Sequence, residues 1–299
     1  MRIKSFYHGI FCTVLASIFW GIPQPLFFNE IKFVPALEVA FHRGLWSFIF
    51  LLILITFTGK INDFLDIFKS NKKIIFLSIS ALLITINWTG FILAVSINRI
   101  QDASMGYYMT PMISIMLGFF FLNEKISKLK LISILMMIGS IIFLFISLKT
   151  LPILAIIIGV TWGLYGLLRK QINVNPSIGL LYETFIISLI SIPYLVYLFW
   201  QNENSIFSID LKTSLFLILT GAVTIFPLFF FNLGLKFIQL GLAGVLFYLA
   251  PTFHFITSVF ILNEEILQIK LISFIIIWIG IIIYIYDSYK KEIILNNTQ

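Results

Sequence analysis

The sequence predicts an all-α membrane protein of ten transmembrane helices, arranged as two inverted five-helix repeats. Three observations carry that prediction. Only 11% of the 299 residues are charged and 60% are hydrophobic, with a mean hydropathy of +1.05, which leaves too little polar surface for a chain dissolved in water. Ten stretches are apolar for long enough to cross about 30 Å of hydrocarbon as helices, the open-chain element that satisfies its own backbone there. The twelve residues Leu122 to Ser133, LNEKISKLKLIS, return 140 positions later, at Leu262 to Ser273, as LNEEILQIKLIS.

The spans run in order over 8–28, 36–58, 73–97, 102–122, 129–148, 151–168, 177–200, 213–235, 240–262 and 268–287. The first follows a basic segment, MRIKSFYHG, as a secretory signal would, but its apolar run reaches Phe28 without a small-x-small site, which predicts a retained helix. Connections are short, and the longer ones, 59–72 and 201–212, are too small to fold as domains. The repeat divides the chain into residues 1–149 and 150–299. Five spans per half is an odd number, so the second half must sit upside down relative to the first. Fourteen of the twenty Lys and Arg residues, from Arg2 and Lys4 to Lys290 and Lys291, fall on the side of the two termini, which makes that side cytoplasmic. Lys125 and Lys128 in the first copy of the motif become Glu265 and Gln268 in the second, as an inverted copy requires. The net charge of +7 is therefore read as a topological signal with attraction to anionic lipid, and not as nucleic-acid binding.

Inverted repeats are a common construction for secondary transporters, with a site near the midplane that opens alternately to each side. Prolines mark the helices expected to break there: Pro23 and Pro25 in span 1, Pro111 in span 4, Pro227 in span 8 and Pro251 in span 9, with Pro111 and Pro251 equivalent by repeat. Each removes a backbone bond whose carbonyl then needs protein, water or solute. Around them lie Trp20, Gln24, Tyr107, Tyr108, Thr110, Thr224, Tyr248 and Thr252, joined by Asn87 and Trp88 of span 3. With 33 Phe in the chain, most aromatic residues are expected in packing or against lipid, and Tyr7, Trp200 and Tyr289 are expected to anchor span ends at the interface.

Ionisable residues inside spans are costly and so are candidates for function. They are Glu38, His42 and Arg43 in span 2, Glu183 in span 7 and His254 in span 9. Glu38 and His42 share a helical face, and Glu183 holds the repeat position of His42, so the two halves offer a base and an acid at mirrored depths for gating or proton coupling. The competing reading is that these groups only anchor their helices, and His254, one turn after Pro251, divides between solute contact and structural bonding. No catalytic constellation is present. His8, His42 and His254 lie on different spans without metal-ligand spacing, there is no phosphate-binding GxxxxGK[ST] loop, and the single Cys12 reads as a packing residue. No enzyme activity, metal or cofactor is expected. Gly159, Gly163 and Gly166 predict close packing of span 6 on a neighbour.

The strings ExxxHRxxWS (Glu38 to Ser47), NW (Asn87, Trp88), ASMGYYMTP (Ala103 to Pro111), FLNE (Phe121 to Glu124), YGLLRK (Tyr165 to Lys170), Glu183 with Thr184, and YLAPT (Tyr248 to Thr252) occur in this order over nearly the whole chain. In combination they resemble RarD-type proteins of the EamA family, in the drug/metabolite transporter superfamily. The resemblance implies a ten-helix carrier of the bacterial inner membrane, with a central cavity lined largely by spans 1, 3, 4, 6, 8 and 9, and adds Tyr165 to the expected cavity residues. RarD-like members are named for an association with chloramphenicol sensitivity, and relatives move amino acids and other metabolites. The sequence departs from many members at Asn263, where they have Gly before the glutamate.

Together these readings predict a secondary transporter of a small organic metabolite or drug, working by alternating access in the lipid bilayer without a cofactor, with a homo-oligomer left open. The alternative is a non-transporting membrane scaffold or sensor; buried ionisable groups and proline breaks favour the carrier.

Overall fold

The structure, a computed structural model, describes residues 2–96, 100–148, 153–201, 210–261 and 268–297. Within them the regular structure is helical throughout: α1 (Arg2–Gly21), α2 (Pro23–Glu30), α3 (Ala36–Phe57), α4 (Ile61–Leu65), α5 (Asn71–Ser96), α6 (Ile100–Leu122), α7 (Lys128–Leu148), α8 (Ile153–Gln171), α9 (Pro176–Trp200), α10 (Leu211–Leu235), α11 (Leu240–Phe247), α12 (Leu249–Phe260) and α13 (Gln268–Asn297). Ten crossings result, with α1–α2 and α11–α12 each counting as one and the short α4 lying in the 59–72 link. Eight meet the length and hydropathy of a membrane span outright, and the fourth and ninth rest on the shorter apolar stretches Gly106–Leu122 and Leu240–Phe253.

The helix pairs repeat when the two halves are exchanged. α1 packs on α10 as α8 packs on α5, α6 packs on α8 as α11 and α12 pack on α1, and α3 meets α9, α6 meets α11 and α7 meets α13. Residues in equivalent positions accordingly touch. Trp20 and Trp162 meet edge to face at 5.0 Å between ring centroids, Tyr107 lies 5.7 Å from Phe247, and the Tyr248 hydroxyl donates to the carbonyl of Tyr108 at 2.8 Å. At the α7–α13 seam Ser133 Oγ donates to Gly280 O (2.6 Å) and Ser140 Oγ to Ser273 O (2.9 Å), two bonds between positions that exchange under the 140-residue shift. The pseudo-two-fold axis thus runs through the middle of the molecule.

Proline breaks two of the four spans expected to be broken. Pro23 has no N–H and sits at the first position of α2, so α1 stops at Gly21 and Ile22 leaves helical geometry at φ −122°, ψ −68°. Pro251 removes the amide that would serve the Phe247 carbonyl, and the chain turns one residue later, at Tyr248, between α11 and α12. Pro111 and Pro227 behave differently and are carried inside continuous α6 and α10, as is Pro193 in α9. In a bundle, neighbouring helices hold the backbone in line where a lone helix would open.

Small residues let the central helices approach. A methyl group built on Gly159 of α8 would lie 3.0 Å from the Gly106 carbonyl oxygen of α6, and one on Gly163 would lie 2.6 Å from Ile113 Cγ2, so the glycine stripe of α8 is the surface on which α6 rides. Helix starts at the membrane edge are capped by side chains: Asn175 accepts from the Ser177 amide at 3.1 Å, and Asp210 accepts from the Thr213 amide at 2.7 Å. The Thr213 hydroxyl and then its amide hold the Asp210 carboxyl below the usual carboxylate range. The outward faces are apolar, with Phe57, Ile146, Trp200 and Phe260 exposed as a lipid-facing surface requires, while Cys12 is fully buried. Tyr7 and Tyr289 are exposed beside one another, 6.2 Å apart.

Candidate functional site

A narrow cavity of about 40 Å³ lies on the pseudo-two-fold axis, lined by Trp20, Gln24, Arg43, Asn87, Trp88, Phe91, Tyr107, Trp162, Phe247 and Ala250. Both halves contribute. Trp20 closes the end of α1 and Gln24 follows on α2, so the break before Pro23 turns the chain around the cavity wall. Trp162 stacks on Phe247 at 5.2 Å and 29°, and Trp20 meets both edge to face, with Phe231 behind Trp162 at 5.2 Å. Such ring pairs contribute about 0.5–1.5 kcal/mol each beyond their buried area, which makes this wall rigid. Asn87 is fixed by donating to Ile158 O (2.9 Å) and Thr161 Oγ1 (3.2 Å) of α8.

Arg43 enters from α3. Its Nε donates to Thr224 Oγ1 of α10 at 3.0 Å, and the guanidinium carbon lies 4.6 Å from the Trp88 ring and 5.0 Å from the Phe28 ring. The side chain is 4% exposed. The sequence groups Arg43 with Glu38 and His42, but one residue of helix turns it by about 100°. Glu38 and His42 are buried outside the cavity lining, with His42 Nε2 4.0 Å from Glu38 Oε1 and Trp46 Nε1 donating to His42 Nδ1 at 3.1 Å.

Glu183 belongs to a second buried network. Ser80 Oγ donates to its Oε1 at 2.5 Å, the Tyr165 hydroxyl donates to Oε2 at 3.3 Å, and Arg169 Nη1 stands 3.4 Å from Oε1. Asn232 closes the circuit, donating to the Tyr165 hydroxyl (2.7 Å) and accepting from Arg169 Nε (3.2 Å). Trp162, Tyr165, Arg169 and Lys170 follow one another down α8, so this network stands between the cavity and the end of the bundle that carries both termini.

At that end an open vestibule of about 800 Å³ is lined by Ser5 and Phe6 of α1, the α6–α7 corner, the end of α8, the α10–α11 link and Ser288 and Lys291 of α13. Lys125, Lys130, Lys170, Lys236 and Lys291 face it with a single acid, Glu124. Glu124, from the first LNE motif, accepts the amides of Leu240 (2.5 Å) and Gly241 (3.0 Å), capping α11 of the opposite half. Asn123 before it adopts φ 54°, the corner that aims the carboxylate. Lys170 Nζ donates to the carbonyls of Leu235 (2.6 Å) and Ile238, and Lys130 Nζ donates to Gln239 Oε1 at 3.0 Å. Burial depresses the ammonium of Lys236, with Arg169 adding a smaller push in the same direction. The first part of the second motif copy, residues 262–267 with Asn263 and Glu265, lies outside the described residues.

Of the residues expected at the cavity, Trp20, Gln24, Asn87, Trp88 and Tyr107 line it and Thr224 stands behind Arg43. Tyr108 and Tyr248 pack on each other beside it, Pro111 seats α6 against Gly244 of α11, Pro227 and Pro251 are buried in their helices, and Tyr165 joins Glu183. The side chain of His254 lies outside the described residues. Phe91, Trp162, Phe247 and Ala250 also line the cavity and are not among the residues expected from the sequence. The sequence repeat carries the signal: Tyr107 maps to Phe247 at 140 positions, and the Trp-Gly pair at Trp20 and Gly21 recurs at Trp162 and Gly163. Span 2 also reaches the cavity, through Arg43, whereas span 8 contributes no residue to the described lining and stands behind it, with Thr224 holding Arg43.

Residues 7–146 and 150–286 each match the EamA-like transporter family. The chain belongs to that family. Among its relatives, the uncharacterized transporter YojE of Bacillus subtilis (strain 168) is 33% identical, over 94% of this chain and 95% of that one. Protein RarD of Escherichia coli (strain K12) is 30% identical, over 96% of this chain and 97% of the other. A solved crystal structure shares the fold at a TM-score of 0.72 and 14% identity, covering 98% of this chain and 100% of that one. This EamA-like protein is therefore a multi-pass membrane transporter of the RarD type.

Proposed function

We propose that the protein is a secondary transporter that moves a small organic metabolite or drug by alternating access, with residues 1–149 and 150–299 as the two halves that exchange conformations. The observation that carries this reading is the cavity on the pseudo-two-fold axis, walled by equivalent aromatic residues of both halves. A site on that axis keeps its walls while the halves trade the inward and outward forms. The Glu124 cap, with Lys130 and Lys170 on the α10–α11 link, supports closure at the end of the termini. In this reading Glu38, His42 and Glu183 gate or couple the cycle from outside the cavity, Arg43 acts within it, and the protein sits in the bacterial inner membrane with both termini cytoplasmic.

The test is movement of a metabolite panel, chloramphenicol included, in proteoliposomes under sodium, proton and solute gradients. At least one solute is expected to move, and Tyr107→Ala is expected to slow it by about tenfold or more through loss of a wall contact. A chain that moves nothing under any gradient is not a carrier. If protons are coupled, His42→Gln and Glu183→Gln will flatten the pH dependence; unchanged profiles in both remove those residues from coupling. Reporter fusions at Asn123 and Asn263 are expected to report opposite sides of the membrane, cytoplasmic for Asn123, and the same side at both positions would contradict the inversion.

A further inference from the structure

We infer that the cavity binds an organic anion, a carboxylate on an aromatic or apolar body, with the Arg43 guanidinium as its anchor. The inference rests on the reading of the cavity as a solute site. Its basis is a difference among the buried cations. Arg169 has Glu183, the Asn232 side chain and the Pro176 carbonyl; Lys130 has Gln239; Lys170 has the carbonyls of Leu235 and Ile238. Arg43 is as deeply buried, yet the single acceptor against it among the described residues is the Thr224 hydroxyl, on Nε.

Arg43 lines the cavity, and among the described residues no carboxylate is ion-paired with it. Glu183 is taken by Arg169, and Glu38 is turned to His42. A cation this far from water is costly unless an opposite charge or good acceptors meet it, and contacts over the Trp88 and Phe28 rings offset only part of that cost. An occupant with two acceptor oxygens completes the site. The planar guanidinium fork matches a carboxylate in both shape and charge, and Thr224 fixes the direction of the fork by holding Nε.

The rest of the wall selects the body of the ligand. Trp20, Trp88, Trp162 and Phe247 offer ring faces and edges to such a body. Arg43 is the one formally charged residue of the lining among the described residues, and it repels an ammonium group. The lysines around the vestibule at the end of the termini have the sign that concentrates anions at its mouth.

The probes are indole-3-acetate and phenylacetate, their neutral amides, and tryptamine, titrated calorimetrically against the purified full-length protein and then assayed for movement in proteoliposomes. At least one carboxylate is expected to bind about tenfold or more tightly than its amide, and tryptamine least. Arg43→Gln is expected to abolish that preference while leaving amide affinity in place, and Arg43→Lys to keep part of it. The charge series on the unaltered protein decides the matter even if Arg43→Gln fails to fold. Amides bound as well as acids, tryptamine preferred, no carboxylate bound at all, or a preference that survives in Arg43→Gln each overturn the inference. Arg43-dependent binding of the carboxylate without movement in vesicles leaves the anion site and removes the carrier reading. Movement without charge preference leaves the carrier and removes the anion site.

Discussion

Arg169→Ala is expected to lower stability by about 3–5 kcal/mol, because it strands the Glu183 carboxylate in a site that is 1% exposed. The Ser80 and Tyr165 hydroxyls still donate to that carboxylate, but its positive partner is gone and the Asn232 side-chain oxygen loses its donor. Glu183→Gln should cost a similar amount by stranding the guanidinium instead. Arg169→Met with Glu183→Gln should cost clearly less than the two single changes added, since neither charge is then left alone. Unfolding in mixed micelles measures all three. An Arg169→Ala protein within 1 kcal/mol of the parent would mean that the network does not hold α8 to α9 and α10.

Gly221→Ala should be almost as damaging. An added methyl would lie 2.5 Å from the Trp46 carbonyl carbon and 2.7 Å from the Ser47 amide nitrogen, both backbone atoms that cannot swing aside. α3 and α10 would have to separate, at about 3 kcal/mol or more, the upper end of ordinary overpacking. The same seam holds the bond from Ser47 Oγ to Gly221 O and the Arg43–Thr224 bond, so solute affinity should fall with stability. Gly139→Ala is the control. Nothing lies within 4 Å of its added methyl, and helix propensity predicts a gain of about 0.5–1 kcal/mol. Equal melting temperatures for the two variants would show that α3 and α10 are not in backbone contact.

The ten crossings and their inversion were legible because both are properties of long segments: hydropathy over a span, and charge over a loop. Local geometry was legible only in part. The Pro23 break is set by covalent structure and reads directly, but whether Pro111 or Pro227 opens a helix depends on the neighbours that hold it, which no single span encodes. The sequence marks Arg43 as a buried charge beside Glu38 and His42, and the fold turns it to Thr224 and Trp88, because adjacency along a helix is not adjacency in space. Trp162 and Phe247 were hidden among many aromatic residues whose facing hydropathy alone does not give. Applying the repeat residue by residue recovers both, since each faces its equivalent, Trp20 or Tyr107, across the axis.

The helix pairing also governs how this chain is made. The seams α1–α10, α3–α9, α5–α8, α6–α11 and α7–α13 each join one half to the other, so neither half owns a separate interior. The two family matches are units of sequence and of ancestry, but they are not units of folding. During synthesis the first five helices must wait in the bilayer, with Arg43, Ser80 and Asn87 lacking Thr224, Glu183 and Ile158, until the second five arrive. Assembly is thus one late and concerted event. The first half expressed alone is expected to insert, to stay loosely packed and to be cleared by proteases, and supplying the second half as a separate chain should rescue it.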